Sequence, residues 1–460
     1  MKREMSMKNR SISKVLVTIF TLWIGFGLQG HPSYGMPPVK RSVLANGLVL
    51  LLSEEHSLPL VTIELLIDAG SRRDPAGEEG LAYLTAHGLL LGTEKHSEVE
   101  INEKLDYMGA SLAVSVGRDY TSLKLRVLKK DLTEGLELFL ETITEPSFPE
   151  EKFHREVRET VAAIQSSEER PEVVAERAFR RKLFLNSPYS HPVEGTKESL
   201  GRIKREDVVK FRSACYRPNI SIFTIVGDVT VKEVEDSIVT KLRAWHQARV
   251  AAEHFSTTFA RGPETIGIDR DISQANIIIG HQGIRRDNPD FYALTVMNYI
   301  LGGGGFGSRL MDEIRVKRGL AYSVVSFFEA GKYPGSFQIV VQTKNASARE
   351  AISLALEQMK RMQQKLVSQQ ELERAKKYLT GSFPLRLDTQ RELVDFLGRM
   401  EYYGLGLDYP ERYRSLINSV GREEVLRVAR DYLQPDKCVL AVVANLKEAN
   451  MAASGGSRGD

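Results

Sequence analysis

The sequence has few cysteines, little net charge and no basic run beyond its amino terminus. Its 460 residues include only Cys215 and Cys438, each just before an apolar run in a different half of the chain. This excludes a disulfide scaffold and favours separate domains for the two, although the sequence leaves their pairing open. The net charge of +3, with acidic and basic residues interspersed, gives no indication of a nucleic-acid partner. Proteins, peptides and small molecules remain as partners.

The amino terminus has the zones of a secretory signal. Basic residues between Lys2 and Lys14 precede an apolar stretch at 15–28 and small residues at 33–35. The apolar stretch is short for a membrane span. We expect residues 1–35 to be a cleaved signal peptide, which predicts a periplasmic or otherwise secreted protein without a membrane span. An uncleaved anchor is the alternative, but no cysteine follows the apolar run to support a lipoprotein.

An internal repeat organises the rest of the chain. Residues 61–74 resemble 275–287, and their final aspartates, Asp74 and Asp287, lie 213 positions apart (287 − 74). Residues 216–228 resemble 433–445, and the matching Pro218 and Pro435 lie 217 apart (435 − 218). Such a nearly constant offset predicts two homologous domains, and a soluble chain of this length requires at least two.

Each half reads as strands and helices followed by two long helices, at 150–169 and 171–185 and again at 368–382 and 390–403. This pattern predicts an α+β fold in which each domain is a mainly antiparallel sheet with helices on one face. The predicted boundaries are 40–246 for the N-terminal domain, 247–267 for a polar linker, 268–447 for the C-terminal domain and 448–460 for a disordered tail.

Residues 80–93, Gly-Leu-Ala-Tyr-Leu-Thr-Ala-His-Gly-Leu-Leu-Leu-Gly-Thr, resemble the zinc signature His-x-x-Glu-His of the pitrilysin and mitochondrial processing peptidase family, the inverzincins. The key positions hold Tyr83, Ala86 and His87. In the family, two histidines four apart bind zinc and the glutamate takes a proton from the bound water. A tyrosine, with a usual pKa of about 10, is a poor zinc ligand at neutral pH, and alanine cannot move a proton.

The family's third zinc ligand is a glutamate roughly 76 residues after the second histidine, in a Glu-Glu-Ile helix. Here that count gives Ala163, in Ala162-Ala163-Ile164. The resemblance therefore implies no catalytic residue, metal or other cofactor in this chain. We expect His87 to be packed or hydrogen-bonded. A nonstandard metal site drawing on His96 or His154 is the alternative, but neither has a partner at ligand spacing.

A second family segment is intact. Residues 308–324, Ser-Arg-Leu-Met-Asp-Glu-Ile-Arg-Val-Lys-Arg-Gly-Leu-Ala-Tyr-Ser-Val, resemble the segment that supplies a substrate-binding arginine and tyrosine seven apart, here Arg315 and Tyr322 (322 − 315 = 7). We expect Ser308 to cap a helix that carries Arg315, and Gly319 to end it. A guanidinium and a phenol can donate to a peptide carbonyl and stabilise charge that develops on it. The alternative is an arginine paired with Asp312 or a neighbouring residue, and a core tyrosine.

The glycine run at 301–308 contains G-x-G-x-x-G at Gly302, Gly304 and Gly307. An apolar helix at 291–301 precedes it instead of a strand, and no Gly-Lys-Ser/Thr follows, so neither a dinucleotide site nor a phosphate loop is predicted. We interpret the run as a mobile loop over a substrate cleft, or as a turn between helices.

The resemblance covers nearly the whole chain after residue 40. It implies a noncatalytic, substrate-binding subunit of a heteromeric zinc metallopeptidase that acts on unfolded peptides, with zinc held by a homologous partner subunit. The peptide would add as a strand to a sheet edge. Two alternatives stay open: an inactive structural or chaperone-like homologue, and a peptidase with an altered metal site.

Overall fold

The computed structural model describes residues 36–251, 253, 258–260 and 262–451. The predicted signal peptide, 1–35, and residues 452–460 of the predicted tail lie outside this range. Every element below belongs to one compact unit that begins at Pro37. No helix in the described part of the chain is long and apolar enough to cross a membrane.

The strands are β1 (Val39–Val43), β2 (Val49–Glu54), β3 (Leu60–Ile67), β4 (Ser111–Val116), β5 (Thr121–Leu128), β6 (Phe184–Leu185), β7 (Ser221–Gly227), β8 (Thr258–Phe259), β9 (Glu264–Asp269), β10 (Gln274–Gln282), β11 (Ala321–Phe328), β12 (Ser336–Lys344) and β13 (Val439–Ala444). The first sheet has the order β1-β2-β7-β3-β5-β4 and the second β11-β12-β10-β13-β9, while β6 pairs with β8.

The two large sheets share one topology. Read from β2 and from β9, the orders β2-β7-β3-β5-β4 and β9-β13-β10-β12-β11 correspond strand by strand. In each, the first pair is parallel and the other pairs are antiparallel. This confirms the predicted α+β class and the internal repeat.

The α-helices are α1 (Leu81–Gly88), α2 (Glu98–Met108), α3 (Leu132–Thr144), α4 (Glu150–Glu168), α5 (Pro171–Leu183), α6 (Lys197–Leu200), α7 (Arg205–Cys215), α8 (Val231–Glu233), α9 (Val239–Arg243), α10 (Phe291–Asn298), α11 (Ala348–Gln364), α12 (Gln369–Gly381), α13 (Gln390–Tyr402), α14 (Tyr409–Asn418) and α15 (Arg422–Tyr432). The part of the chain that the structure describes also contains three π-helical segments, Val234–Ile238, Tyr299–Gly303 and Met311–Val316.

Each half also gives one helix to the sheet of the other half. Helix α5 packs on β10 and β13, and α13 packs on β3 and β7. The contact of α5 is apolar, with Phe179 and Ala175 fully buried against Ile278 and Val443. The predicted one-face helix layers are present, for α1 and α3 share a core with the first sheet, and the exchanged helices are an addition to them.

Ion pairs cross the seam between the halves. Arg180 Nη1 lies 2.6 Å from Glu329 Oε2, and Lys332 Nζ lies 2.7 Å from Asp68 Oδ2. Arg180 is almost completely buried, and a buried arginine requires such a partner. These contacts fix the two halves relative to each other.

Glu64, on the face of β3 that α13 covers, is a buried carboxyl at this seam. Its Oε1 accepts a hydrogen bond from Ser122 Oγ at 2.6 Å and lies 3.7 Å from Lys124 Nζ. Its Oε2 is buried without a partner in the described structure. Burial raises the pKa of Glu64 to about 7, against the lowering by Ser122 and Lys124.

The structure refines two predicted boundaries. The last four residues of the predicted linker belong to β9, and Glu253 within it lies 2.7 Å from Arg72 Nε. The predicted tail from 448 begins inside the fold, since Ala449 is buried and Glu448 accepts a hydrogen bond from Asn345 at 2.9 Å. The described part of the chain stays folded through residue 451 because these contacts fasten it to the second sheet.

Candidate functional site

Helix α1 begins where a glycine and an aspartate fix its first turn. Gly80 has φ of 98°, and a Cβ there would lie 2.6 Å from the Glu194 carbonyl oxygen, so glycine is required. Asp74 accepts hydrogen bonds from the amides of Gly80 at 2.8 Å and Ala82 at 2.7 Å. These bonds satisfy two free donors of the helix start. Burial raises the pKa of Asp74 to about 8, although both amides lower it.

Tyr83 and His87 form a stack on one face of α1. Their ring centroids are 4.1 Å apart and the planes meet at 23°. His87 Nδ1 lies 3.5 Å from Glu156 Oε1 on α4. Burial lowers the pKa of His87 and raises that of Glu156, and it is the first cause of the raised pKa of Tyr83. All three shifts favour neutral groups. The expectation that His87 is packed is confirmed.

The other predicted positions of the zinc signature lie apart from this stack. Ala86 is fully buried in the core, and Ala163 is exposed on α4. The carboxylate beside His87 is instead Glu156, two turns before Ala163, which counting along the sequence missed. Within the described ranges no group of three or more His, Cys, Asp or Glu side chains is arranged to hold a metal ion.

The histidines of the alternative metal site are each engaged elsewhere. His96 Nδ1 lies 2.9 Å from Glu141 Oε2, and His154 Nε2 lies 3.0 Å from Glu150 Oε1. Each pairs with its own carboxylate, and neither joins the stack of α1.

The segment with Arg315 and Tyr322 is a short helix followed by an edge strand. The helix is π-helical over Met311–Val316, a feature often found at functional sites. Ser308 stands at its start, where its carbonyl accepts from the Asp312 amide, but the Ser308 hydroxyl donates to the Gly305 carbonyl instead of capping the helix. Gly319, with φ of 64°, ends the helix as predicted, its amide bonded to the Arg315 carbonyl.

Arg315 and Tyr322 are both open to solvent. Tyr322 is 48% exposed and occupies an irregular position of β11, where the pairing with β12 shifts between Ala321 and Ser323. The exposed Arg315 guanidinium lies 5.2 Å from the centroid of the Phe306 ring. The alternative of an arginine paired with Asp312 or a neighbour and a core tyrosine is wrong. Asp312 pairs with Lys317 at 2.8 Å, no ion pair joins Arg315 to a described residue, and Tyr322 is exposed.

Exposed apolar side chains accompany these two residues on the same stretch of chain. Phe306 is 71% exposed, and Val325 and Phe327 of β11 are also exposed. Strand β11 is the edge of its sheet, so its outer side can accept another strand. Arg315, Tyr322, Phe306, Val325 and Phe327 are called the open segment below.

The glycine run is a compact connection between two helices. It comprises the π-helical segment Tyr299–Gly303 and a 3₁₀ turn at Gly305–Gly307, which presents Phe306. The predicted helix 291–301 is divided between α10 and this π-helical segment. Sequence reasoning missed the role of Phe306, although an aromatic residue between glycines is a recognisable signal. Cys215 and Cys438 are both free thiols.

Two family models match the chain. The model described as insulinase, peptidase family M16, matches residues 49–197, and the M16 inactive domain matches residues 202–379. Among curated relatives, the non-peptidase homolog YmxG of Helicobacter pylori is 27% identical over 87% of this chain and 92% of its own length. A probable mitochondrial-processing peptidase subunit beta of Arabidopsis thaliana is 24% identical over 90% of this chain and 79% of its own length.

Solved structures agree with this assignment. A Pseudomonas fluorescens structure, described as a peptidase M16 inactive domain, has a TM-score of 0.83 at 27% identity and covers 91% of this chain and 100% of its own. A protease from Helicobacter pylori has a TM-score of 0.81 at 20% identity, over 89% of this chain and 100% of its own, and shows the shared fold. The chain therefore belongs to the peptidase family M16, as a homologue in which the first histidine and the glutamate of the zinc signature are replaced by Tyr83 and Ala86.

Proposed function

We propose that this chain is a noncatalytic, substrate-binding subunit of a heteromeric zinc metallopeptidase. A homologous subunit supplies the zinc, and an unfolded peptide lies between the two. The observation that carries this proposal is the contrast between the filled α1 site and the open segment.

The α1 site supports the noncatalytic part of the proposal. A working site needs three ligands and a base, whereas this face offers a phenol, an imidazole and one carboxylate. Because the base position is Ala86, even a bound metal ion would have no side chain here to take a proton from its water.

The open segment supports the substrate-binding part. Arg315 and Tyr322 keep their donors exposed, and no hydrogen bond joins either side chain to another described residue. Side chains kept free beside an unpaired sheet edge suit an extended peptide, whose backbone would pair with β11 while Arg315 and Tyr322 donate to its carbonyls.

The heteromeric and periplasmic parts rest on other support. One relative is named as the beta subunit of a processing peptidase, and an incomplete site that retains substrate-binding groups is useful when another chain completes it. The signal-like residues 1–35 support export to the periplasm or beyond.

Reconstitution with a zinc-bearing homologue from the same host tests the proposal. We expect the pair to hydrolyse an unfolded peptide that neither chain hydrolyses alone. Arg315→Ala combined with Tyr322→Ala should lower kcat/KM of the pair by about 100-fold or more, because transition-state donors are lost, while the two chains still associate.

The matched control is Arg349→Ala combined with Tyr107→Ala, which removes the same side chains from exposed positions outside the open segment. It should leave activity unchanged. Full activity of the homologue alone, or of the pair with the double variant, would contradict the proposal and favour a structural role. Stoichiometric zinc with hydrolysis by this chain alone would instead favour an altered metal site.

A further inference from the structure

A cavity of about 280 Å³ lies at the seam between the two halves. One wall is the turn between β4 and β5, with Arg118, Asp119 and Tyr120, and the facing wall comes from the second half, with Glu329, Tyr333 and Tyr403. None of these residues belongs to the α1 site or to the open segment. The inference drawn from the cavity is therefore independent of the proposed function.

The carboxylates of the cavity already have partners. Glu329 binds Arg180 Nη1 at 2.6 Å and accepts from Ser336 Oγ at 3.1 Å. Asp119 accepts from the Tyr189 hydroxyl and, at 2.9 Å, from the Lys332 amide. The negative charges of the cavity are thus engaged with the protein itself.

Arg118 is the exception. Its Nε is buried without a hydrogen-bond partner, and no ion pair joins its guanidinium to any residue within the described ranges. Burial, and then the charge of Arg180, lower the pKa of Arg118 to about 10, so the side chain remains cationic at neutral pH. The charges of Glu329, Glu176 and Glu194 act on Arg118 without forming an ion pair with it, and an anion in the cavity would supply the direct contact that its buried Nε lacks.

The surroundings select among anions. Of the two arginines that line the cavity, Arg180 is paired and Arg118 has no ion pair to any described residue, while Asp119 and Glu329 would repel a doubly charged group such as phosphate. A carboxylate carries a single charge and matches the planar fork of a guanidinium. Tyr120, Tyr333 and Tyr403 supply aromatic walls for the body of such a ligand.

We propose that the cavity at the seam is a binding site for a carboxylate, held by Arg118 and presented by a peptide carboxy terminus or by a small organic acid with an apolar body. Occupancy would join the β4–β5 turn to the second half, so the ligand would also stabilise the seam.

Titration calorimetry on the purified full chain tests this site with four probes. N-acetyl-phenylalanine represents a chain terminus, its amide is the neutral match, phenylacetate represents a small acid, and inorganic phosphate is the dianion. We expect at least one of the two carboxylates to bind, the stronger one identifying the source, and the amide and phosphate to bind at least about tenfold more weakly.

Arg118→Gln should weaken the bound carboxylate by about tenfold or more, whereas Arg126→Gln, at an exposed arginine of the same hairpin, should not change it. Binding of the amide or of phosphate as strong as that of the acid would overturn the proposal, as would absence of carboxylate binding or equal binding by Arg118→Gln. Should Arg118→Gln fail to fold, the comparison of acid and amide on the unaltered chain decides alone.

Discussion

The face of α1 and the open segment come from the two halves of one repeated fold, yet they are built in opposite ways. On α1, Tyr83 and His87 stack on each other and Glu156 closes the face, with pKa shifts that favour neutral groups. In the open segment, Arg315 and Tyr322 stay exposed beside the edge strand β11, which pairs with β12 on one side only.

This difference separates side chains that are packed against one another from side chains that are left open to solvent. Side chains that bury area and satisfy one another contribute to folding, while side chains left without partners are available to a ligand. Substitutions on α1 should therefore change stability, and substitutions in the open segment should change activity of the complex.

The largest expected effect is metal binding at α1 after one substitution, which would remove the contrast between the two regions. Tyr83→His should create a zinc site, because the introduced imidazole and His87 would project from one helical face toward Glu156. We expect binding in the micromolar range, on the order of 8 kcal/mol, measured by titration calorimetry and metal analysis. The exposed Tyr107→His is the control, and Tyr83→His with Glu156→Ala should lose the metal. A zinc-free Tyr83→His chain would show that α1 is closed for other reasons.

The next effect concerns the open segment. Arg315→Lys and Tyr322→Phe should each lower kcat/KM of the reconstituted pair by about 100-fold, because each removes a positioned donor. Folding stability should change by less than about 0.5 kcal/mol at these exposed positions. Urea unfolding measures folding stability separately from the activity assay. A large loss of stability would show that Arg315 or Tyr322 contributes to folding, as the packed residues of α1 do.

A third prediction concerns Glu64 at the seam, which lies outside both the α1 site and the open segment. The pKa of Glu64 is raised from its usual 4.5 to about 7, so its stabilising contribution is complete below pH 4.5 and is lost as pH rises through about 7. That contribution is worth about 3 kcal/mol. Glu64→Gln should therefore be more stable than the natural chain at pH 8 and similar at pH 5. Chemical unfolding at both values measures this, and parallel pH curves would contradict it.

The smallest expected effect is the pH dependence of stability caused by His87 on α1. Burial lowers the pKa of His87 below its usual 6.5, so its contribution to stability is present above that pH and is lost as pH falls. Between pH 7.5 and 5.5, the stability of His87→Gln should fall by less than that of the chain with His87. The variant should also be about 1 kcal/mol less stable overall, because the stack with Tyr83 is lost. The measurement should be made in a chain that also carries Glu64→Gln. This substitution removes the pH dependence of stability caused by Glu64, which runs opposite to that of His87. The exposed His154→Gln is the control, and an equal loss there would refute the assignment.

Much of the fold follows from the sequence because the repeat is strong. Two echoed segments at a nearly constant offset predict two sheets of one topology, and the structure confirms them. The helix exchange could not be predicted, since the amphipathic patterns of α5 and α13 show which face is apolar but not which sheet covers it.

The candidate sites show a similar division. The replacement of a zinc ligand by Tyr83 and of the general base by Ala86 can be recognised from their spacing, and so can the turn at Gly319. Glu156 was missed because counting along α4 assumes a fixed register between the helices of distant relatives. Arg118 carries no periodic or motif signal, since the cavity that it lines forms only where residues of the other half meet the β4–β5 turn.

The exchange of α5 and α13 has a consequence for how such a chain could arise. A half produced alone would have a sheet without its outer helix and a helix without a sheet. Two identical halves would supply each other with both, as in a domain-swapped homodimer. Duplication and fusion of the gene for one half would turn that symmetric pair into a single polypeptide, whose two copies are then free to diverge in sequence.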